Sequence, residues 1–129
     1  MNLLPDTQLL VHAADLSAGP RALEAARLLG DPNNLVHFSA ASIWEVAIKF
    51  SLGRPDFTVD PRSLRRGLLD NGYIELPVTA QHAAAVATLP HIHKDPFDRL
   101  LVAQATVEGF ILLTTDAIIA GYPGPIRAV

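Results

Sequence analysis

The sequence predicts a parallel α/β sandwich, and three observations carry that reading. Short strand-like apolar runs alternate with helical stretches that have recognisable caps and stops. Two of those runs lead directly into an aspartate, Asp6 and Asp116. Two strongly apolar helices carry an acid in their first turns, Glu45 and Asp98. In a parallel α/β layout such positions converge at one edge of the sheet.

The elements follow in order. NLLPD (2–6) reads as a strand ending at Asp6, with Pro5 suited to a strand end because it has no ladder N–H. TQLLVHAAD (7–15) supplies a helical turn or two. GPRALEAARLLGD (19–31) is a helix with Pro20 near its start and Gly30 at its stop, and DPNN is a turn. LVHFS (35–39) is the second strand. SAASIWEVAIKFSLG (39–53) is a helix capped by Ser39 and ended by Gly53. Its polar residues Ser42, Glu45 and Lys49 form one narrow stripe at i, i+3 and i+7. RPDFTVD is a loop, PRSLRRGLLDNG (61–72) a helix with a basic face, and YIELPV (73–78) a strand. TAQHAAAVATLP (79–90) is a helix capped by Thr79. DPFDRLLVAQATVEG (95–109) is a helix with Asp95 at its N-cap, Pro96 first and Asp98 at N3. FILLTT (110–115) is the most strand-like segment. AIIAGYPGP is a short helix and turn, and IRAV (126–129) an edge strand.

A length of 129 residues suits one domain with a proper core, and with half the residues hydrophobic and 18% charged, disorder is not expected. No apolar run is long enough to cross a bilayer, and MNLLPDTQLL lacks the basic start of a signal peptide. The absence of cysteine excludes disulfides and thiolate metal sites and fits a reducing cytoplasm. A protein that coats nucleic acid would normally be basic, but a net charge of −3 does not decide the matter, because a metal would offset the acids of the site and Arg62, Arg65 and Arg66 gather positive charge locally.

Each acid has an ordinary account of its own. Asp6, Asp95 and Asp116 can cap helices, Glu45 can pair with Lys49, and Asp95 with Arg99. Four acids at one sheet edge repel one another, however, unless they share a cation. Mg²⁺ suits such a site because it takes carboxylate oxygen and completes its shell with water and phosphate, and Mn²⁺ fits the same ligands. The hydroxyls of Thr7, Ser39, Thr114 and Thr115 stand beside the acids and can steady them. Lys94, Arg99 and the arginines at 62, 65 and 66 are candidates for phosphate contact. The five histidines lack the spacing of a zinc site, and the structural or solvent-exposed reading is preferred for His93 despite its place just before Asp95.

These residues fall in motifs. Residues 89–116, LPHIHKDPFDRLLVAQATVEGFILLTTD, resemble the LP-x-x-H-x-DPFDRLL-x-AQA…EG…L-x-T-x-D signature of PIN-domain ribonucleases, specifically the VapC toxins of bacterial type II toxin–antitoxin pairs. SAASIWEVAIKFSLGR (39–54) is similar to that family's S-A-x-S-x-WE-x-A-I-K-x-x-LG-K segment, and PDTQLLVHAA (5–14) to its opening L-D-T-x-x-L-L-W. Pro5, the HAA at 12–14 and an extra histidine in HIH depart from the pattern, but none removes an acid.

The resemblance implies a three-layer α/β/α fold around a mainly parallel sheet, spanning 1–129 as a single PIN domain. It implies a Mg²⁺- or Mn²⁺-dependent endoribonuclease with Asp6, Glu45, Asp98 and Asp116 as catalytic and metal-binding acids. Asp95, Thr7, Ser39 and Thr114 would support them. It further implies an RNA substrate, a cognate antitoxin, a homodimer and no membrane. Water attack on the phosphodiester would leave a 5′-phosphate and a 3′-hydroxyl. Three other readings compete. One is a response-regulator-like receiver, which needs adjacent acids after the first strand and a late lysine. The second is an inactive interaction domain on the same fold. The third is a DNA nuclease or flap-type activity on the same scaffold, since the metal site does not itself read the sugar.

Overall fold

The computed structural model describes residues 1–12 and 20–129. Five strands form one parallel sheet: β1 (Asn2–Pro5), β2 (Leu35–Ser39), β3 (Ile74–Leu76), β4 (Ile111–Thr114) and β5 (Ile126–Ala128). The helices described are α1 (Thr7–Val11), α2 (Pro20–Gly30), α3 (Ala40–Ser51), α4 (Pro61–Asp70), α5 (Ala80–Ala85), α6 (Pro96–Glu108) and α7 (Ala117–Ala120). α1 ends at Val11 with His12 as its C-cap, and residues 13–15 of the expected continuation lie outside the described residues.

Strand order is β3-β2-β1-β4-β5. The chain leaves β1 toward one edge, returns, and continues on the other side from β4. The switch point therefore falls between β1 and β4, where open α/β sheets place their sites. A receiver would show the order 2-1-3-4-5, so the sheet excludes that reading.

Central strands buried on both faces read as continuous apolar runs. Leu3 and Leu4 on β1 and Leu112 and Leu113 on β4 are completely buried. They divide between two cores. Leu4 and Leu112 pack with Leu101, Val102 and Ala105 of α6 and Ile119 of α7. Leu3 and Leu113 pack with Leu9 of α1 and Ala25 and Leu28 of α2. A third cluster joins Leu10, Phe38 and Leu68. Helices thus cover both faces, and the fold is the expected α/β/α sandwich.

Pro5 ends the central strand β1 without leaving a gap in the ladder. Asp6 N–H bonds Leu113 O at 2.9 Å, so the neighbouring Pro5 nitrogen turns toward β2, where the register has already stopped at Leu3↔Val36. Most elements lose a residue or two at their ends, and two are cut back further. β3 stops at Leu76 because Pro77 cannot donate, and the last turn after α5 tightens into a 3₁₀ turn at Val86–Thr88 before Pro90.

Candidate metal centre

Local chemistry sets each acid in place. The Asp6 carboxylate caps α1 by accepting Leu9 N–H at 2.9 Å, and Asp116 caps α7 by accepting Ile118 N–H at 2.8 Å. Asp95 caps α6 through Phe97 N–H at 2.8 Å and Asp98 N–H at 3.2 Å. Capping thereby fixes the first turn of α6, where Asp98 sits. Glu45 lies one turn deeper than expected, in the second turn of α3, but it is 7% exposed and faces the same cleft.

That cleft has a volume of about 620 Å³, and Asp6, Glu45, Asp95, Asp98 and Asp116 all line it. Thr7, Lys49, His93 and the 56–59 loop complete its walls. Asp6 is the most deeply set acid, at 1% exposure. Its Oδ2 accepts the Thr114 hydroxyl at 2.6 Å, and Thr114 Oγ1 in turn accepts Asp116 N–H at 3.0 Å. Thr7 Oγ1 donates to Ser42 Oγ at 2.9 Å, locking the start of α1 to α3.

Crowding has electrostatic consequences. Burial, reinforced by the charges of Asp116 and Glu45, raises the pKa of Asp6 despite its hydrogen bonds from Thr114 and Leu9. Asp98 is pushed up to about 7, chiefly by burial and then by the charges of Asp95 and Glu45. Glu45 Oε2 meets Lys49 Nζ at 2.9 Å, whereas its Oε1 is buried with no hydrogen-bond partner. A buried, unpaired carboxylate oxygen is costly. Its position among other carboxylates fits a hard divalent cation with oxygen ligands.

Several sequence expectations meet different surroundings. Ser39 caps α3 through Ala41 N–H, but its hydroxyl donates to the buried Gln104 Oε1 at 2.6 Å rather than to an acid. Thr115 is exposed. The proposed Asp95–Arg99 pair does not form. Arg99 donates to Pro90 O at 2.9 Å, Tyr122 Oη at 3.1 Å and Val86 O at 3.3 Å, and its guanidinium is spent on main chain and phenol instead of phosphate. Lys94 is exposed and does not line the cleft. Of the three clustered arginines, Arg65 pairs with Glu75 at 2.7 Å, and none lines the cleft.

His93 is the residue that sequence reasoning undervalued. Its Nε2 lies 3.3 Å from Asp98 Oδ2 and 3.6 Å from Asp116 Oδ2. His93, Asp98 and Asp116 offer ligand atoms within 4.8 Å of one another. The available signal was its position two residues before the Asp95 cap, since a cap fixes the loop that precedes it as well as the helix that follows.

With this geometry in view, comparison with known proteins decides the family. The PIN domain family matches residues 3–124. The chain belongs to the PIN domain family. No curated protein sequence matches it. Among solved structures, VapBC2 from Rickettsia felis, bound to a DNA fragment from its promoter, is similar with a TM-score of 0.72 at 17% identity, over 99% of this chain and 98% of that one. VapBC-5 from Mycobacterium tuberculosis, a toxin–antitoxin family member, gives a TM-score of 0.60 at 18% identity, over 99% and 97%. The PIN domain endonuclease Utp24 gives 0.57 at 16% identity, over 99% and 84%. At these identities the likeness is one of fold. Among the described residues, no helix is long and apolar enough to cross a membrane.

Proposed function

We propose that this PIN domain is a metal-dependent endoribonuclease and the toxin of a type II toxin–antitoxin pair. The observation that carries the nuclease reading is the buried, partnerless Glu45 Oε1 in a cleft shared with Asp6, Asp98 and Asp116. The toxin reading is supported by the motifs of residues 39–54 and 89–116 and by the VapBC systems among its structural relatives.

Asp6 and Asp98 would be the principal ligands of Mg²⁺ or Mn²⁺, with Glu45 and Asp116 completing the site. A bound ion supplies charge that polarises a phosphate oxygen and favours in-line attack by water. The protein prepares for this. Thr114 and the start of α1 fix the orientation of Asp6, leaving a lone pair on each oxygen for a further contact. Lys49 holds one oxygen of Glu45 and leaves the other buried without a hydrogen-bond partner. Asp95 caps the first turn of α6 and so fixes Asp98 in the wall of the cleft. Because attack by water needs no 2′-hydroxyl, the products would be a 5′-phosphate and a 3′-hydroxyl. RNA is the proposed substrate, a cognate antitoxin the proposed partner, a homodimer the proposed assembly and the cytoplasm the proposed compartment.

The test is incubation of purified protein with structured RNA and, in parallel, single-stranded DNA. Each is run with Mg²⁺, with Mn²⁺ and with EDTA, followed by end-group analysis. Metal-dependent cuts in RNA bearing 5′-phosphate ends are expected. A 2′,3′-cyclic phosphate product, or cleavage that persists in EDTA, overturns the mechanism. Absence of cleavage on every substrate leaves the inactive interaction domain as the better account.

A further inference from the structure

We infer that His93 is a positioning residue that spans Asp98 and Asp116 through Nε2–H and is not itself a metal ligand. The inference rests on the metal-nuclease reading of the cleft and assigns a role to a side chain that reading does not use. It begins with the other ring nitrogen. Asp95 N–H donates to His93 Nδ1 at 3.0 Å, so Nδ1 must present a lone pair. A neutral imidazole has one N–H, and here it sits on Nε2. Nε2 lies 3.3 Å from Asp98 Oδ2 and 3.6 Å from Asp116 Oδ2, at the outer edge of hydrogen-bond reach of both acids. A metal bound at Nε2 would need the lone pair that the proton occupies. It would also force the proton to Nδ1, against the Asp95 amide.

The main chain around His93 is built to hold this pose. His93 N–H donates to Tyr122 Oη at 2.7 Å, and Tyr122 Oη also takes Arg99 Nη1 at 3.1 Å. Arg99 anchors Pro90 O, three residues earlier, at 2.9 Å. The loop is therefore pinned before His93 by Arg99, at His93 by Tyr122 and after it by the Asp95 cap. Asp98 on α6 and Asp116 ahead of α7 come from different elements and carry like charge. A donor wedged between them sets their spacing, in the way outer-shell partners orient ligating carboxylates.

Two variants separate the two ring nitrogens. In His93→Gln the amide nitrogen reaches toward the Nε2 position and keeps a donor for the acids. In His93→Asn the side-chain oxygen keeps the Nδ1 acceptor for Asp95 but the donor is lost. Mn²⁺ affinity, measured by titration calorimetry with thermal melts to confirm folding, should stay near the native value for the glutamine variant. It should weaken by ~10-fold or more for the asparagine variant, the loss expected of an outer-shell partner. Equal large losses in both folded variants overturn the inference, as does retention of full affinity in the asparagine variant. Independently, ¹⁵N spectra of the metal-free protein should show His93 as the Nε2–H tautomer, unchanged on saturation with Mg²⁺. An Nδ1–H tautomer in either state overturns it. If neither ion binds the native protein, the metal-nuclease reading fails, while the tautomer still reports on the wedge.

Discussion

Thr114 Oγ1 donates to Asp6 Oδ2 at 2.6 Å, joining the ends of two adjacent central strands across 108 residues of sequence. The same oxygen accepts Asp116 N–H, so a single hydroxyl sets two acids of the cleft. Thr114→Val keeps the shape of the side chain and removes both bonds. The buried Asp6 carboxylate then loses a donor, and stability should fall by about 1–3 kcal/mol. Thr114→Ser should recover most of that. Urea midpoints of the three proteins measure it, and equal midpoints for threonine and valine would sink the assignment.

Asp6→Asn tests charge separately from shape. Burial and the neighbouring acids raise the pKa of Asp6, which means its charge is unfavourable in the folded protein without metal. The neutral amide should leave the metal-free melting temperature at pH 8 unchanged or higher. RNA cleavage should drop by more than the ~100-fold that loss of an outer-shell partner can cost. A variant that melts lower yet still cleaves would mean that Asp6 serves the fold as a cap and not the site.

Asp6, Asp95 and Asp116 were legible because capping is local. Asp6, Ser39, Thr79, Asp95 and Asp116 each cap the helix their sequence position suggests, and the bonds involved span two or three residues. The alternation of apolar runs and capped helices likewise fixed the fold class. What sequence did not show depends on contacts between distant segments. Ser39 turns from the acids because Gln104, 65 residues away, is buried beside it. Arg99 turns from the cleft because three acceptors, Pro90 O, Val86 O and Tyr122 Oη, surround its guanidinium. His93 enters the cleft because Tyr122, 29 residues later, holds its amide. Periodicity gives a helical residue's face but not the partners that the fold brings to it.

Asp98 predicts a pH dependence whose sign can be worked out. Its carboxyl rises from an ordinary 3.8 to about 7 on folding. The folded chain therefore holds this proton where the unfolded chain has released it. The stability contributed by Asp98 is complete below pH ~4 and is lost as pH climbs through about 7. The difference in urea midpoint between the metal-free native protein and Asp98→Asn should widen in favour of asparagine between pH 5 and pH 8. Mg²⁺ binding competes with the same proton, so below pH ~7 its affinity should fall by up to ~10-fold per pH unit. A native affinity that is flat from pH 5.5 to 8 would exclude Asp98 as a ligand.

Lys49 provides the last prediction, because it sits between two accounts of Glu45. The pair at 2.9 Å joins a half-exposed ammonium to a carboxylate that is largely buried. If pairing were the whole purpose of Glu45, its other oxygen would not be left buried without a partner. Lys49→Met preserves the apolar stem on α3 and removes the charge. Without metal the variant should lose about 1 kcal/mol, the upper end for a pair with one exposed member. With saturating Mg²⁺ the deficit should shrink, because a cation in the cleft compensates Glu45 in place of the lysine. Thermal melts of native and variant protein, with and without Mg²⁺, give the comparison. A deficit that is the same in both conditions would show that Glu45 belongs to the lysine alone.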